Sequence, residues 1–186
     1  MSNHPDLEFI LNETQWLQWH EFKSSSGNHT IEALAYVGLF TDYLAALSQG
    51  KVAVELVRQG QIDDKNPDSI TRRDVIIRVG EKTAAIASTL IEPDVIQRYP
   101  WLNELGGKAI GETLEHRLGA VRADVCYRSV PNNAQNAGIR SHFGGSESRL
   151  WGRRYRYLFE GGGLCITEVI AGSVIVDITG VAGAAH

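Results

Sequence analysis

The sequence has few of the residues on which metal centres, disulfide frameworks and membrane segments depend. Its 186 residues include two cysteines and one methionine, and its six histidines are scattered without the spacing of a metal site. No apolar run reaches the roughly 18 residues that a membrane helix needs. The glycine loops of nucleotide-binding proteins and the G-x-S-x-G turn of serine hydrolases are missing as well. The sequence therefore gives no support for metal, nucleotide or serine-nucleophile chemistry.

The charge and the cysteines indicate the class of protein. A formal net charge of −4 provides no general attraction to nucleic acid or to an anionic membrane, so we expect neither as a partner. Cys126 and Cys165 lie in apolar, strand-like runs, which is typical of buried thiols in a reducing compartment, although a disulfide between them stays open. The N-terminus shows no secretory signal pattern. The expectation is a cytoplasmic protein.

Hydrophobic periodicity predicts a single α+β domain built on an antiparallel sheet. Strand-like alternation covers residues 52–57, 74–79, 83–91, 121–130, 150–159 and 164–171. Helices are predicted at 7–22, 31–48, 93–105 with an interruption at Pro100, and 108–116, and loops at 59–69 and 132–145. We divide the chain into an N-terminal helical extension (1–30), a central domain (31–172) and a C-terminal strand or tail (173–186), whose strand would start at Ser173.

An arginine opens the second predicted strand. Period-two alternation places Arg73 on the same face as Val75 and Ile77, whereas Arg78 points the other way. A guanidinium among apolar side chains is a candidate anchor for an anion, because its planar fork binds a carboxylate through two hydrogen bonds. The alternative is an arginine at a strand end that reaches solvent, and periodicity alone does not decide between the two.

A lone carboxylate lies in the last apolar strand. Glu168 shares the parity of Leu164, Ile166 and Ile170. On a buried face this glutamate would lose its solvation, which favours the protonated form and makes it a candidate general acid. Exposure on the far face of the sheet is the alternative.

Four blocks of sequence, in the same order along the chain, resemble those of the chorismate lyase family. They are the helix start Gly38–Thr41 with Leu44, the hairpin from Arg73 through Ala87, Thr89 and Ile91, the helix start Gly106–Glu112, and the pair Leu150–Arg154 with Leu164–Val169. The resemblance spans about residues 31–172. It implies a six-stranded antiparallel sheet covered by helices, with a dry pocket for a small aromatic carboxylate.

The resemblance also implies a reaction, the elimination of pyruvate from chorismate to give 4-hydroxybenzoate, without a metal or an organic cofactor. Arg73 is then expected to grip a substrate carboxylate, and backbone amides near Phe40 and Thr41 to add hydrogen bonds. Glu168 is expected to act as the acid or proton shuttle near the departing enolpyruvyl ether.

Some positions depart from the family pattern. Ser88 stands where the family has a second anchoring arginine, and a charge-assisted hydrogen bond contributes roughly 1.5–3 kcal/mol. The serine is therefore expected to weaken binding of chorismate, and Ser88→Arg to restore it. Leu39 replaces a family serine, and Asp42 and Tyr43 replace basic residues, which predicts a more apolar and more acidic pocket mouth.

Two classes of function therefore stay open. The first is an enzyme, either a chorismate lyase or a relative that acts on a similar enolpyruvyl or aromatic acid. The second is a noncatalytic module that binds small acids, because the same fold serves as the effector domain of certain winged-helix repressors. Release of pyruvate and 4-hydroxybenzoate from chorismate distinguishes the two. The oligomeric state is not encoded in any pattern that we find.

Overall fold

The computed structural model describes residues 16–18, 21–22, 39–66, 68–131, 136–144 and 149–174. Six strands form one antiparallel sheet in the order β1-β2-β3-β6-β5-β4. They are β1 (Val52–Gln61), β2 (Thr71–Val79), β3 (Lys82–Ile91), β4 (Val121–Val130), β5 (Leu150–Phe159) and β6 (Gly162–Ala171). The sheet thus consists of two three-stranded meanders, joined where β3 pairs with β6. This architecture confirms the predicted α+β fold with a six-stranded antiparallel sheet.

Short helices connect the strands and cover the sheet. They are α1 (Phe40–Leu47), α2 (Pro93–Arg98), a 3-10 helix (Pro100–Glu104), α3 (Ile110–Leu118) and α4 (Ala137–Ser141). The predicted interruption at Pro100 is confirmed, because a proline ring disfavours the helical conformation of the residue before it. Helix α3 ends at Gly119, whose φ of 57° suits a glycine better than any residue with a side chain.

The two faces of the sheet carry different chemistry. We call the face with Arg73 and Glu168 the inner face, and the face with Asp74 and Ser88 the outer face. Strands β2, β3 and β6 are buried on both faces because they lie in the middle of the sheet. Their sequences therefore read as nearly continuous apolar runs, whereas the edge strand β1 is more exposed.

Ser88 lies on the outer face, which corrects its expected place in the pocket. The register pairs Ser88 with Asp74 on β2 and Thr167 on β6, whereas Thr89 is the residue opposite Arg73. Ser88 is fully buried there. An arginine at this position would enter the outer face, so Ser88→Arg is no longer expected to strengthen the binding of an acid on the inner face.

A bulge in β4 changes the parity of that strand. Pairing with β5 is regular up to Ala123 and resumes at Cys126, and Asp124 between them has a φ of 53°. The extra residue brings Arg122 and Tyr127 to the same face, although strict alternation would place them on opposite faces. Both lie on the inner face, opposite residues of β5.

The N-terminal helix prediction falls mostly outside the described residues. Within them, Leu17 and Tyr127 exchange backbone hydrogen bonds of 2.8 and 2.9 Å as an isolated antiparallel bridge. The prediction of a helix at 7–22 is therefore wrong at Leu17, because the backbone of Leu17 pairs with the edge strand β4 instead. Phe22 packs against the rings of Tyr127 and Trp151 in the core. Of the helix predicted at 31–48, residues 31–38 lie outside the described residues, and α1 occupies most of the remainder.

Other predictions are corrected in detail. The loop predicted at 132–145 contains α4, and part of that range is outside the described residues. The strand predicted from Ser173 does not form at residues 172–174, which make a helical turn, and residues 175–186 lie outside the description. β1 extends four residues further than predicted, because Arg58 to Gln61 pair with β2 across a bulge.

Cys126 and Cys165 are free and half-buried. They lie on β4 and β6, on either side of β5. Two strand spacings separate their Cα atoms by roughly 9.5 Å, which exceeds the roughly 7 Å limit for a disulfide. Burial raises the pKa of both thiols. The disulfide left open by the sequence is therefore excluded within this chain.

Candidate functional site

A narrow cavity lies on the inner face, between the sheet and the first turns of α1 and α3. Its volume is about 50 Å³, and its lining is mostly apolar. The charged side chains in this lining are Arg73, Arg122 and Glu168. Apolar walls with a few convergent polar groups are the usual pattern of a small-molecule site.

Arg73 is buried in the cavity wall without an acidic partner among the described residues. It is 1% exposed, and its Nη2 donates hydrogen bonds of 2.9 and 2.8 Å to the carbonyl oxygens of Gly106 and Lys108. Its Nε has no hydrogen-bond partner in the described part of the chain. Burial lowers the pKa of Arg73 to about 10, because the guanidinium loses water and gains no counter-ion. An anion in the cavity would supply the missing partner.

Two helices begin at the same cavity. Neither the N-cap of α1, Leu39, nor the N-cap of α3, Ala109, provides a side-chain cap. The first backbone amides of both helices therefore have no acceptor within their own helix, and the positive ends of the helix dipoles lie at the cavity. Gly111 allows this close approach, since a Cβ there would lie 3.0 Å from the Tyr157 hydroxyl and 3.1 Å from Leu39. Like Arg73, these amides favour an anion in the cavity.

Glu168 forms a buried ion pair with Arg153. The Nε and Nη2 atoms of Arg153 donate hydrogen bonds of 2.9 and 2.7 Å to Glu168 Oε2, and the Tyr155 hydroxyl donates one of 3.1 Å to Oε1. Burial by itself would lower the pKa of Arg153, but the charge and hydrogen bond of Glu168, together with Tyr155 and Tyr127, raise it. The carboxylate that is isolated in its own strand is therefore paired with an arginine of the neighbouring strand. The cavity wall contains a carboxylate whose charge a fully buried arginine balances.

Tyr155 stays a hydrogen-bond donor over the whole physiological pH range. Burial, and then the negative charge of Glu168, raise the pKa of its hydroxyl well above the usual range. The Tyr155 ring also lies under two guanidinium groups, with Arg122 at 4.5 Å and Arg153 at 5.2 Å from its centroid. The ring therefore attracts both cations through its π face.

Next to α3, the cavity is lined by the Tyr157 hydroxyl, which has two hydrogen-bond partners. The Tyr157 hydroxyl donates a 2.6 Å hydrogen bond to Glu115 Oε1 and accepts one of 2.9 Å from Arg122 Nη2. Arg122 and Glu115 approach each other to 3.7 Å. Burial by itself would lower the pKa of Arg122, but the phenol groups of Tyr155 and Tyr157 outweigh it and raise that pKa. The contact ties α3 to β4 and β5.

The Tyr157 hydroxyl is expected to stay protonated at high pH. Burial, helped by the hydrogen bond to Glu115, raises the pKa of Tyr157 to about 12 from 10.0. Because the folded protein keeps this proton where the unfolded chain loses it, the group contributes stability that is present below pH 10 and lost between pH 10 and 12. Tyrosinate absorbance of the wild type minus that of Tyr157→Phe should rise only above pH 11. A difference curve centred near pH 10 would contradict this environment.

The arrangement can bind an anion at Arg73 and exchange a proton at Glu168, with the cavity between them. In the part of the chain that the structure describes, no group of three or more His, Cys, Asp or Glu side chains is placed to hold a metal ion. A sequence profile described as chorismate pyruvate-lyase Rv2949c-like matches residues 34–173. The chain belongs to this chorismate pyruvate-lyase family. The resemblance found in the four sequence blocks is thereby confirmed.

Solved structures share the fold of this chorismate pyruvate-lyase family member. The effector domain of PhnF from Mycobacterium smegmatis has a TM-score of 0.54 at 13% identity, over 74% of this chain and 91% of that one. Whole PhnF has a TM-score of 0.53 at 13% identity, over 90% and 93%. The possible transcriptional regulator YydK from Bacillus subtilis has a TM-score of 0.50 at 10% identity, over 69% and 60%. At such low identity these likenesses show the fold alone.

No curated protein matches the chain significantly. In the described residues, no helix has both the length and the apolar character needed to cross a membrane.

The structure brings most of the sequence-predicted site residues of this family member together. Arg73, Phe40, Thr41 and Glu168 line one cavity, and Ser88 does not. Leu39 lines the cavity as well, whereas Asp42 and Tyr43, from which a more acidic mouth was expected, are not among its lining residues.

Arg153 was not identified from the sequence as the partner of Glu168, and Arg122 was not identified as a residue of the cavity. A two-residue turn in the last hairpin pairs Phe159 with Gly162 and hence Arg153 with Glu168. The glycines that follow Glu160 were a usable signal for that short turn. Arg122 had no such signal, because a bulge sets its face.

Proposed function

We propose that this protein eliminates pyruvate from chorismate, or from a closely related enolpyruvyl ring acid, to give 4-hydroxybenzoate or its counterpart. The observation that carries the proposal is Arg73, a buried guanidinium with no acid beside it in the described residues and with a free Nε at the cavity. A substrate carboxylate is the natural counter-ion for this group. The proposal keeps the cytoplasmic location expected from the sequence.

The first task of the site is to hold the ring carboxylate. Arg73 provides the charge, and the amides at the starts of α1, near Phe40 and Thr41, and of α3 provide hydrogen bonds. In a dry cavity these contacts fix the ring in place, so that the reacting bond is presented to Glu168. Positioning of this kind lowers the activation barrier, because much of the entropy that the reaction must lose is already lost on binding.

The second task is to move one proton. In the reaction the ring C–O bond to the enolpyruvyl oxygen breaks with its electron pair on oxygen, the ring hydrogen on the adjacent carbon leaves as a proton, and the enolpyruvate takes up a proton to become pyruvate. Glu168 accepts the ring proton and returns it to the enolpyruvate. Arg153 and Tyr155 position its carboxylate through hydrogen bonds at both oxygens. Aromatisation of the ring drives the step.

The test is direct. Purified protein incubated with chorismate should release pyruvate and 4-hydroxybenzoate in equal amounts, measured by a coupled dehydrogenase assay and by chromatography. Glu168→Gln should lower the rate at least about 100-fold, since a positioned acid or base contributes 10²–10⁴-fold. Glu160→Gln, an exposed acid in the β5–β6 turn, is the matched control and should leave the rate unchanged.

A second candidate is a noncatalytic module that binds small acids. It is favoured by the hydrogen bonds at Glu168, where both carboxylate oxygens are already occupied by Arg153 and Tyr155. In the same experiment this candidate predicts no pyruvate at high protein concentration, together with a rise in thermal stability in 4-hydroxybenzoate. Absence of product therefore overturns the lyase proposal, and absence of both product and thermal shift overturns both candidates.

A further inference from the structure

The loop between the 3-10 helix and α3 determines how Arg73 faces the cavity. The loop covers residues 105–109, and its Gly106 and Lys108 carbonyl oxygens accept hydrogen bonds of 2.9 and 2.8 Å from Arg73 Nη2. These acceptors engage the two N–H groups of Nη2, so the N–H of Nε, which has no partner in the described residues, is left for a ligand. The direction of the guanidinium therefore depends on where this loop lies.

The edge strand β1 holds the same loop. A Cβ added to Gly107 would lie 2.7 Å from the backbone oxygen of Val54, closer than Cβ atoms approach a backbone oxygen in proteins. Gln59 is the β1 residue opposite Arg73, and its Nε2 donates a 3.0 Å hydrogen bond to the Leu102 carbonyl oxygen, shortly before the loop. Separate contacts thus attach the loop region to β1 and to β2.

The two adjacent glycines of the loop are needed for different reasons. Gly106 has a φ of 54°, which residues with a side chain rarely adopt. Gly107 has no positive φ, so an alanine could adopt its backbone conformation, and only the lack of space beside Val54 opposes it. Because Val54 is paired with Ile77 in the sheet, whereas the loop belongs to no helix or strand, the loop is the part that would move. A methyl group at this place therefore displaces the two carbonyl groups that hold the arginine.

We propose that Gly107 is a positioning residue: without a side chain it lets the loop lie against β1, and the loop carbonyls then direct Arg73 towards the carboxylate of the ligand. The inference rests on the proposed function in placing the ring carboxylate at Arg73. Neither Gly107 nor Val54 lines the cavity. Recognition of the acid thus depends on a fit between a loop and an edge strand outside the binding site itself.

Two ligands that differ in charge test the proposal. They are 4-hydroxybenzoate and its neutral amide, 4-hydroxybenzamide, and titration calorimetry gives their dissociation constants. The wild type should bind the acid at least about 10-fold more tightly, because a charge-assisted hydrogen bond is at stake. Gly107→Ala should reduce this preference at least about fivefold and change the affinity for the amide less than about twofold, since a hydrogen bond weakens steeply when its angle is lost. A loop that only supports the fold would affect both ligands alike.

Gly60→Ala is the matched control. Gly60 lies on β1, as Val54 does, it has no positive φ, and a Cβ there would meet nothing within 4 Å. The same added methyl group should therefore leave both affinities unchanged. Gln59→Leu is a second variant, which removes the hydrogen bond to Leu102 without a steric clash and should lower the preference for the acid about threefold.

Several results would overturn the inference. They are an unchanged preference in Gly107→Ala, an equal loss of both ligands, a loss that Gly60→Ala reproduces, and a wild type that binds the acid no better than the amide. If circular dichroism shows that Gly107→Ala does not fold, the preference of Gln59→Leu decides: a decrease supports the inference and no change overturns it. Failure of the lyase proposal is distinguishable, because it appears as an absence of pyruvate while the preference for the acid and its loss in Gly107→Ala remain.

Discussion

Arg153→Met is expected to lower the free energy of unfolding by about 3–5 kcal/mol, because it leaves a buried carboxylate without its counter-ion. Glu168 is 4% exposed and would retain the Tyr155 hydroxyl as its hydrogen-bond donor. One neutral hydrogen bond does not replace a buried guanidinium that donates two. Urea unfolding followed by circular dichroism measures the change.

Two controls separate this charge effect from the loss of a large side chain. Arg154→Met removes the neighbouring arginine, which faces the outer side and donates a 3.2 Å hydrogen bond to Thr167, and should cost only about 1–2 kcal/mol. The double variant Arg153→Met with Glu168→Met removes both charges and should recover most of the stability. A single variant that loses less than about 1 kcal/mol would show that the pair does not stabilise the fold.

The ion pair also affects how catalysis is tested. Glu168→Gln keeps the shape of the side chain but leaves Arg153, 1% exposed, with a neutral partner. Some loss of stability is therefore expected along with the loss of rate, and thermal unfolding of the variant must be measured beside its activity. A folded and inactive variant assigns the loss to proton transfer.

Arg73→Met is expected to abolish ligand binding while changing the free energy of unfolding by less than about 1 kcal/mol. The lowered pKa of Arg73, about 10 instead of 12.5, corresponds to roughly 3 kcal/mol by which burial disfavours its charge. Methionine removes that cost but also loses the hydrogen bonds to Gly106 and Lys108, so the two effects nearly cancel. Affinity for 4-hydroxybenzoate should fall more than about 100-fold, since the cation proposed to bind the ring carboxylate is gone.

Calorimetry and urea unfolding of the same preparations test this pair of expectations. Arg98→Met, on the exposed side of α2, is the control and should alter neither quantity substantially. Strong destabilisation by Arg73→Met would mean that the arginine serves the fold, and unchanged affinity would remove it from the binding site. The opposite expectations for Arg73 and Arg153 follow from one difference, the presence of an acid beside Arg153.

Much of the fold could be predicted from alternation and turn residues. The strands 74–79, 83–91 and 121–130 lie within the observed β2, β3 and β4, and the break at Pro100 is where proline geometry requires it. The sequence blocks indicated the family, and the parity of Arg73 and Glu168 placed both among apolar neighbours without deciding whether their face is buried. These features depend on local backbone geometry, which neighbouring residues determine.

Which residues lie next to each charged side chain was decided instead by the register between neighbouring strands. The sequence suggested a last hairpin with strands at 150–159 and 164–171, whose four-residue turn would pair Tyr155 with Glu168. The observed turn has two residues, so the register between β5 and β6 is shifted and Arg153 pairs with Glu168. In the same way Ser88 was assigned to the pocket by its place in a motif, and its pairing with Asp74 and Thr167 puts it on the other face.

The sequence by itself determined the α+β class and the family, and it made Arg73 and Glu168 candidates for the site. Only the tertiary structure showed that Arg153 balances Glu168, that Arg73 has no acidic partner among the described residues, and that Arg122 reaches the cavity. The physical reason is that charge balance depends on distances between strands far apart in sequence. A turn length or a single bulged residue at Asp124 moves every side chain beyond it to a new neighbour or to the opposite face.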